Sequence, residues 1–210
     1  MKIAVVAANG RVAKKVIAEA LDRGHEVVAF GRHAENDTQA KEYIKKDILD
    51  LTKEDLAGFD AVVDAFGAWT PETLPLHSTT TQHLADILSG TDTRLLIVGG
   101  AGSLYVDPEH KVQLFDTPDF PEAFKPLATA MGKVLAELRQ RQDVKWTYIS
   151  PAADFQADGE RTGKYLLAGE TFTLNSKNES IISYADYAIA MVDEIEQGKH
   201  IQQRISVVRA

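Results

Sequence analysis

The chain begins with MKIAVVAANGRVAKKVIAEALDRGHEVVAFGR, residues 1–32, and this stretch decides the fold class. An unbroken apolar run at 3–6 leads into a turn at Asn9 and Gly10, and residues with a helical period follow. A second apolar run occupies 26–30. Because unbroken apolar runs are typical of strands buried on both faces of a sheet, the stretch predicts a parallel strand–helix–strand unit.

The same alternation of apolar runs and helical segments continues along the chain. Apolar stripes with helical spacing precede Gly24 and recur around Leu84 and Met131. This pattern predicts right-handed βαβ units, hence an α/β protein with a Rossmann-type doubly wound parallel sheet in a single domain, 1–210. Strands are predicted at Lys2–Ala7, Glu26–Phe30, Tyr43–Lys45, Ala61–Ala65, Arg94–Val98 and Lys145–Ser150.

The composition changes after residue 150. Residues 151–184 are rich in turn formers and predict loops and short strands, which we interpret as a small cap on the substrate side of the sheet. Ser183 with Asp186 three residues later predicts a helix start, and Gly198 predicts its end. A last strand is expected at 204–209.

Composition narrows the range of functions. The net charge of −8 and pI of about 5.2 disfavour general binding to nucleic acid or to anionic membranes. There is no cysteine, and the six histidines are scattered without metal-ligand spacing, so no metal site is expected. No apolar segment approaches the roughly 20 residues of a membrane span. We expect a soluble cytoplasmic protein, monomeric or homodimeric, that acts on a small molecule.

The first loop resembles a phosphate-binding loop with two replacements. It fits G-x-x-G-x-x-G at positions 7, 10 and 13, with alanine at the first and third. Gly10 stands at the middle position, where a side chain would most directly obstruct a pyrophosphate. Ala7 can make the turn without strain if its φ is negative, and the N–H groups of Arg11 and Val12 then open the helix towards phosphate. The alternative is an ordinary strand–turn–helix connection.

The end of the second strand bears on the choice of cofactor. An NAD site usually carries an acidic residue there, whereas this chain has Arg32, which suits the 2′-phosphate of NADP. Arg11 is a second candidate cation, and the alternative for Arg32 is a solvated surface side chain. Asp47, after the third strand, is expected either to face the adenine or to cap a turn. The cofactor prediction is NADP(H), with NAD(H) less favoured.

Six segments extend the comparison over nearly the whole chain. They resemble the NAD(P)H-binding, atypical short-chain dehydrogenase/reductase proteins labelled NADH-flavin reductases, with NmrA-like proteins and biliverdin-IXβ/flavin reductase as more distant relatives. The segments are AANGRVAKKVIAEALDRGHEV, DAVVDAFGAW, RLLIVGGAGSLYV, FPEAFKPLATAMGKVLAEL, WTYISPAADFQADGERTGKY and ISYADYAIAMVDEIE.

This resemblance implies roles for the residues that follow each strand. At the phosphate end, the pyrophosphate would be held by Ala7, Asn9, Gly10, Arg11 and Val12, and the 2′-phosphate by Arg32. The adenosine and its ribose would be lined by Ala65, Phe66 and Gly67. The nicotinamide ribose would lie over Gly99 and Gly100, and the nicotinamide would be bordered by Pro151 and Ala152.

The catalytic pair of classical short-chain dehydrogenases is incomplete. In their Y-x-x-x-K motif the tyrosine donates the proton and the lysine holds the ribose. Here Lys133 is present, but Thr129 replaces the tyrosine, and a threonine hydroxyl is too weak an acid for that role. Ser103 is a candidate for bonding the substrate, although a turn-forming serine is an equal alternative.

A planar electron acceptor, such as a flavin or a quinone, fits these absences. Hydride transfer to such a ring depends on stacking and orientation more than on a strong protein acid. Seven aromatic and apolar side chains are expected to supply a flat pocket for this ring, and for each the alternative is ordinary packing within a loop. They are Phe66, Trp69, Leu104, Tyr105, Phe115, Phe124 and Phe155.

These observations predict an NAD(P)H-dependent oxidoreductase that transfers hydride to a flavin-like or quinone-like acceptor. The alternative is a non-catalytic NADP(H)-binding sensor of the NmrA type that regulates a partner protein. An isomerase or epimerase is a third hypothesis, which the absent tyrosine disfavours.

Overall fold

The computed structural model describes all residues, 1–210, as ten strands and four α-helices. The strands are β1 Lys2–Val6, β2 Glu26–Gly31, β3 Glu42–Lys45, β4 Ala61–Asp64, β5 Arg94–Val98, β6 Lys145–Ser150, β7 Asp154–Gln156, β8 Tyr165–Ala168, β9 Ile181–Ser183 and β10 Gln203–Arg209. The helices are α1 Arg11–Asp22, α2 Leu76–Leu88, α3 Lys125–Leu138 and α4 Tyr184–Gln197. The six predicted strands and the predicted last strand all form, with boundaries within one residue.

The main sheet has eight strands in the order β3-β2-β1-β4-β5-β6-β10-β8. All neighbouring pairs are parallel except β10 and β8, which are antiparallel. The chain runs outward from β1 to β3 and then returns to the other side of β1 with β4, so the strand order reverses between β1 and β4. The predicted Rossmann-type doubly wound α/β fold is confirmed, and such a reversal is where these sheets bind ligands.

Helices cover both faces of the sheet because its strands are apolar on both faces. Within β1, Ile3 and Val5 lie in a core shared with α1 and α4, whereas Ala4 and Val6 lie in a core shared with α2 and α3. Each strand residue therefore points to the opposite face from its neighbour, and both faces are buried. This explains why the strands have unbroken apolar runs.

The helix boundaries follow the predicted capping residues. Gly24, just beyond α1, has a φ of 82°, and Gly198, at the end of α4, has a φ of 59°. Both are left-handed conformations that glycine adopts without steric cost. At the start of α4, the Ser183 hydroxyl accepts a 3.0 Å hydrogen bond from the Asp186 N–H. In a full capping box the Asp186 carboxylate would accept from the Ser183 N–H, but here it accepts from the Thr162 hydroxyl.

The segment 151–184 contributes to two sheets. Its strands β7 and β9 pair with each other as a small parallel sheet, whereas β8 joins the main sheet beside β10. Part of the predicted cap is thus an edge of the main sheet, and the division into one domain with a cap stays a prediction. None of the four helices combines the length and the apolar character needed to cross a membrane.

Candidate functional site

A cavity of about 770 Å³ lies along the carboxyl edge of the main sheet. Its walls come from the loops that follow β1, β2, β3, β4, β5 and β6, and from α2, α3 and the start of α4. Several residues predicted to bind cofactor or acceptor lie in these walls. They are Ala7, Asn9, Gly10, Arg11, Val12, Arg32, Asp47, Ala65, Phe66, Gly67, Trp69, Gly99, Gly100, Phe124, Pro151 and Phe155.

The loop after β1 turns at a left-handed alanine. Ala7 has a φ of 55°. A strain-free turn at alanine requires a negative φ, so the turn at Ala7 is strained. A left-handed conformation costs a non-glycine residue roughly 1–2 kcal/mol. The turn is held by the Gly10 N–H, which donates to the Ala7 carbonyl over 3.2 Å, and by the Ala8 N–H, which donates to Phe30. The fold thus keeps the tight turn at the cost of strain at Ala7.

Gly10 leaves open space at the N-terminus of α1. Its φ of −68° suits any residue, and an added Cβ would meet only the Ala7 carbonyl oxygen, at an ordinary 3.5 Å. The fold itself therefore does not require glycine here. The N–H groups of Arg11 and Val12 have no acceptor in the protein and no side-chain cap. Unpaired N–H groups beside an open backbone fit a phosphate ligand.

The loop after β2 is tied to the loop after β1 by side chains. Asn9 donates to the Tyr43 hydroxyl over 3.0 Å, and this hydroxyl donates to the His33 carbonyl over 2.8 Å. Gly31 makes room for the bond, because a Cβ there would lie 2.4 Å from the Tyr43 hydroxyl oxygen. Arg32 follows directly, lines the cavity, and makes no hydrogen bond or ion pair with the protein. Its guanidinium is therefore available to an anion.

The other predicted polar contacts at this end have protein partners. Arg11 pairs with the exposed carboxylate of Asp158 over 3.1 Å. The carboxylate of Asp47 accepts from the Leu49 N–H over 3.0 Å and caps the short 3₁₀ turn Ile48–Asp50, so the turn-capping alternative for Asp47 is observed. Asp47 also lines the cavity. Of the two candidate cations, Arg32 is the unpaired one.

A buried polar group stands at the last position of β4. The Asp64 carboxylate accepts from the Thr81 hydroxyl at 2.8 Å and from the Phe66 N–H at 3.2 Å, and burial raises the pKa of this carboxyl. Next to it His77 Nε2 is 3.0 Å from the Ala68 carbonyl, and its ring packs edge-on against Phe66. Because a carbonyl only accepts, Nε2 carries the proton. These contacts fix the loop that lines the cavity beside Phe66.

Tyr148 on β6 shapes the loop after β5. A Cβ at Gly99 would lie 2.3 Å from the Tyr148 ring, so glycine is required there. The Gly100 N–H donates to the Tyr148 hydroxyl over 3.0 Å, and this hydroxyl donates to the Met131 carbonyl over 3.2 Å. Burial raises the pKa of Tyr148 to about 12, which keeps the donating proton in place. The two glycines lie in the cavity wall as a fixed backbone.

The two candidate catalytic residues do not line the cavity. Ser103 is buried, and its hydroxyl accepts from the Arg204 guanidinium over 2.9 Å. Lys133 lies on an exposed face of α3, 3.7 Å from Glu137. The geometry therefore gives Ser103 a place in a buried hydrogen-bond network and leaves Lys133 in solvent. Neither supports the expected catalytic role.

Some predicted pocket residues also lie outside the cavity wall. Leu104 is buried elsewhere, and Tyr105 stacks on His110 with ring centroids 4.8 Å apart. Ala152 belongs to the core shared with α1 and α4, and Phe115 packs near Gly102. These four side chains are held by packing against the protein. For Leu104, Tyr105 and Phe115 the loop-packing alternative describes the observed contacts, and Ala152, expected to border the nicotinamide, lies in the core instead.

The remaining aromatic side chains of the cavity come from the segments after β4, β5 and β6. Phe155 packs against Tyr184, with centroids 4.2 Å apart, and both line the wall. Trp69 and Phe124 also line it and are 74% and 60% exposed. Exposed aromatic rings at a cavity mouth are available to stack on a ligand.

Sequence reasoning missed several lining residues. His77, Phe120, Met131 and Tyr184 all line the cavity. His77 is the second residue of α2 and Met131 the seventh of α3, and only knowledge of the helix orientation separates the cavity face from the core face there. Tyr184 had an available signal, because it directly follows the predicted helix start at Ser183. No three histidine, aspartate or glutamate side chains come together in a metal-binding arrangement.

Known proteins resemble this chain in sequence and structure over nearly its full length. A model of the NAD(P)H-binding family matches residues 7–197. The protein YwnB of Bacillus subtilis (strain 168), which is uncharacterized, is 44% identical over 210 residues, covering 99% of this chain and 98% of that one.

Two solved structures carry different functional descriptions. SP1627 of Streptococcus pneumoniae TIGR4, titled "a putative NADH-flavin reductase", is 57% identical, with a TM-score of 0.98 over 100% of both chains. A Bacteroides thetaiotaomicron protein titled "putative epimerase" is 36% identical, with a TM-score of 0.86 over 99% of this chain and 96% of that one. The family match covers residues 7–197, most of the chain, and the chain belongs to the NAD(P)H-binding family within the atypical short-chain dehydrogenases/reductases.

Proposed function

We propose that this protein is an NADPH-dependent reductase whose acceptor is a planar ring system of the flavin or quinone class. The observation that carries the proposal is the separation of charged and aromatic side chains along the main cavity. Its cations, Arg11, Arg32 and Lys46, follow β1, β2 and β3, whereas its aromatic side chains follow β4, β5 and β6 on the other side of β1 in the sheet. A dinucleotide phosphate fits the first end and a flat ring fits the second.

The residues at the first end would hold the nucleotide. The N–H groups of Arg11 and Val12 would donate to the pyrophosphate, and Gly10 would let its oxygens approach the backbone. Arg32 would bind the 2′-phosphate, because its guanidinium has no protein partner and presents several donors to an anion. This last contact favours NADPH over NADH.

At the second end the protein would orient rings rather than supply an acid. The dinucleotide, when bound, provides a hydride, which together with one proton from water reduces the acceptor by two electrons while the nicotinamide is oxidised. Gly99 and Gly100 give a flat backbone wall, and Phe155, Trp69 and Phe124 give stacking surfaces. The similar Streptococcus pneumoniae protein SP1627, described as an NADH-flavin reductase, supports the same class of reaction.

The test is a titration of the purified protein with NADPH and NADH, followed by nicotinamide fluorescence, and then the anaerobic addition of riboflavin, FMN or a small quinone. We expect tighter binding of NADPH and protein-dependent oxidation of it, above the rate of a protein-free blank. Tight binding without acceptor-dependent oxidation would refute the reductase and favour an NADP(H) sensor. No binding of either nucleotide would refute the site itself.

A further inference from the structure

A second groove adjoins the aromatic end of the cavity. It has a volume of about 410 Å³ and is bounded in part by Leu114, Phe120, Phe124 and Ala153. These four residues also line the main cavity, so the two spaces are neighbours across shared walls. A ligand whose ring lies among the aromatic residues could extend a substituent into this groove.

The other walls of the groove are mainly polar. Thr117, Asp119, Asp154 and Ser180 line it, together with Pro121. The Ser180 hydroxyl accepts from the Ala153 N–H over 2.9 Å, so its own proton remains free to donate. The Thr117 hydroxyl donates to the Leu114 carbonyl over 2.7 Å, so its lone pairs remain free to accept. The groove thus offers both hydrogen-bond donors and acceptors to a ligand.

The charge of the groove is negative and uncompensated. Asp119 has no hydrogen-bond or ion-pair partner in the protein, and the Asp154 carboxylate accepts only from the neutral amide of Gln156, over 3.0 Å. No lysine, arginine or histidine lines the groove. Of the cations of the main cavity, Arg32 and Lys46 follow β2 and β3 on the far side of β1, and Arg11 is paired with Asp158. A phosphate here would face two carboxylates and no cation, with only neutral hydroxyl groups as donors.

We propose that this groove binds the side chain of the acceptor and selects side chains that carry hydroxyl groups without phosphate. The proposal rests on the proposed function, because it assumes that the acceptor ring occupies the aromatic end. Hydroxyl groups can donate to Asp119 and Asp154, whereas a phosphate is repelled by both. Among flavins, riboflavin is therefore preferred over FMN, since the two share one ring and differ only in the terminal phosphate.

The first measurement is binding, which does not depend on turnover. Protein saturated with NADP⁺ is titrated with riboflavin and with FMN at low salt, followed by flavin fluorescence. We expect riboflavin to bind roughly tenfold more tightly than FMN. The preference is modest because each carboxylate repels the FMN phosphate only weakly at a solvated surface. The preference should shrink at 0.5 M salt, where exposed charges are screened. Equal affinities, or tighter binding of FMN, would overturn the proposal.

Asp119→Lys tests the charge directly. It should raise FMN affinity and remove or reverse the preference, whereas Glu109→Lys makes the same charge change at an exposed glutamate outside both cavities. An unchanged preference in Asp119→Lys would overturn the proposal. If neither flavin binds, the groove assignment and the acceptor class fail together. If riboflavin is preferred but NADPH is not oxidised, the groove assignment stands and the reductase proposal fails.

Discussion

The hydroxyl oxygen of Ser103 lies 2.9 Å from Nη1 of Arg204 and accepts its hydrogen bond, while the Ser103 carbonyl accepts from Nη2 over 3.0 Å. The Arg204 side chain is fully buried, and Glu170 binds the same guanidinium. The loop after β5 is thus attached to β10 through one arginine. Ser103 serves this attachment rather than the cavity.

Ser103→Ala is expected to lower stability and leave the reaction almost unchanged. It removes an acceptor from a buried guanidinium, which costs about 1–3 kcal/mol of unfolding free energy. Urea unfolding and the rate of NADPH oxidation measure the two effects. Ser176→Ala, at an exposed serine without hydrogen bonds, is the control. A large loss of rate at unchanged stability would instead support the catalytic role expected from the sequence.

Gly10→Ala is expected to weaken nucleotide binding without disturbing the fold. The added Cβ has ordinary contacts in the protein, and the change at the helix cap costs no more than about 1 kcal/mol. Loss of one charge-assisted contact to phosphate lowers NADPH affinity roughly tenfold or more. Gly169→Ala, where a Cβ has no neighbour within 4 Å and the residue does not line the cavity, should bind normally. Unchanged affinity in Gly10→Ala would refute the phosphate site.

Arg32→Ala is expected to weaken the binding of NADPH but not that of NADH. Removing the unpaired guanidinium should lower NADPH affinity roughly tenfold, the scale of one charged hydrogen bond, and leave NADH affinity within about twofold. Lys15→Ala removes the same charge from an exposed position on α1 that lies outside the cavity. Equal losses for NADPH and NADH would remove the basis for assigning Arg32 to the 2′-phosphate.

Ala7→Gly is expected to stabilise the protein by about 0.5–1 kcal/mol. Relief of the left-handed conformation raises the free energy of unfolding by roughly 1–2 kcal/mol. The greater freedom of glycine in the unfolded chain lowers it by about 0.5–1 kcal/mol. Ala8→Gly, at a buried residue without a positive φ, should destabilise by about 1 kcal/mol. Urea unfolding compares the two, and a destabilised Ala7→Gly would contradict the strain at Ala7.

Glu170→Gln should change the response of stability to acid. Burial alone would raise the pKa of Glu170, but Arg139 and Arg204 outweigh it and hold the pKa below its usual range. The ionised carboxylate therefore stabilises the fold above the unfolded pKa of about 4.3, and this stability is lost as the pH falls through the folded pKa. The variant should be less stable at pH 7, with the difference fading below about pH 4. Glu109→Gln is the exposed control.

The sequence predicted the strands well because their signal is local. The apolar run at 94–98 and the glycine caps at Gly24 and Gly198 depend on neighbouring residues alone. The position of 165–168 was not predicted, because pairing with β10 depends on residues more than 30 positions away. Local patterns cannot identify such a partner.

The candidate site was predictable where it depends on strand ends. Gly10, Arg32 and Gly99 follow strands and line the cavity because the carboxyl ends of parallel strands share one edge. His77 was not predicted to line the cavity, and the surroundings of Ser103 were not foreseen, because burial and long-range partners decide them. The Ser103 hydroxyl depends on Arg204, which is 101 residues away in sequence. No local pattern carries that information.

The place of β10 inside the sheet has a consequence for synthesis on the ribosome. β8 has no other neighbour in the main sheet, and β6 meets β10 on the side away from β5. Residues 165–168 are therefore made well before the strand that binds them, and they wait with unpaired backbone groups until 203–209 emerge. We expect nascent chains stalled before residue 203 to be recognised by chaperones or proteases more readily than chains released after residue 209.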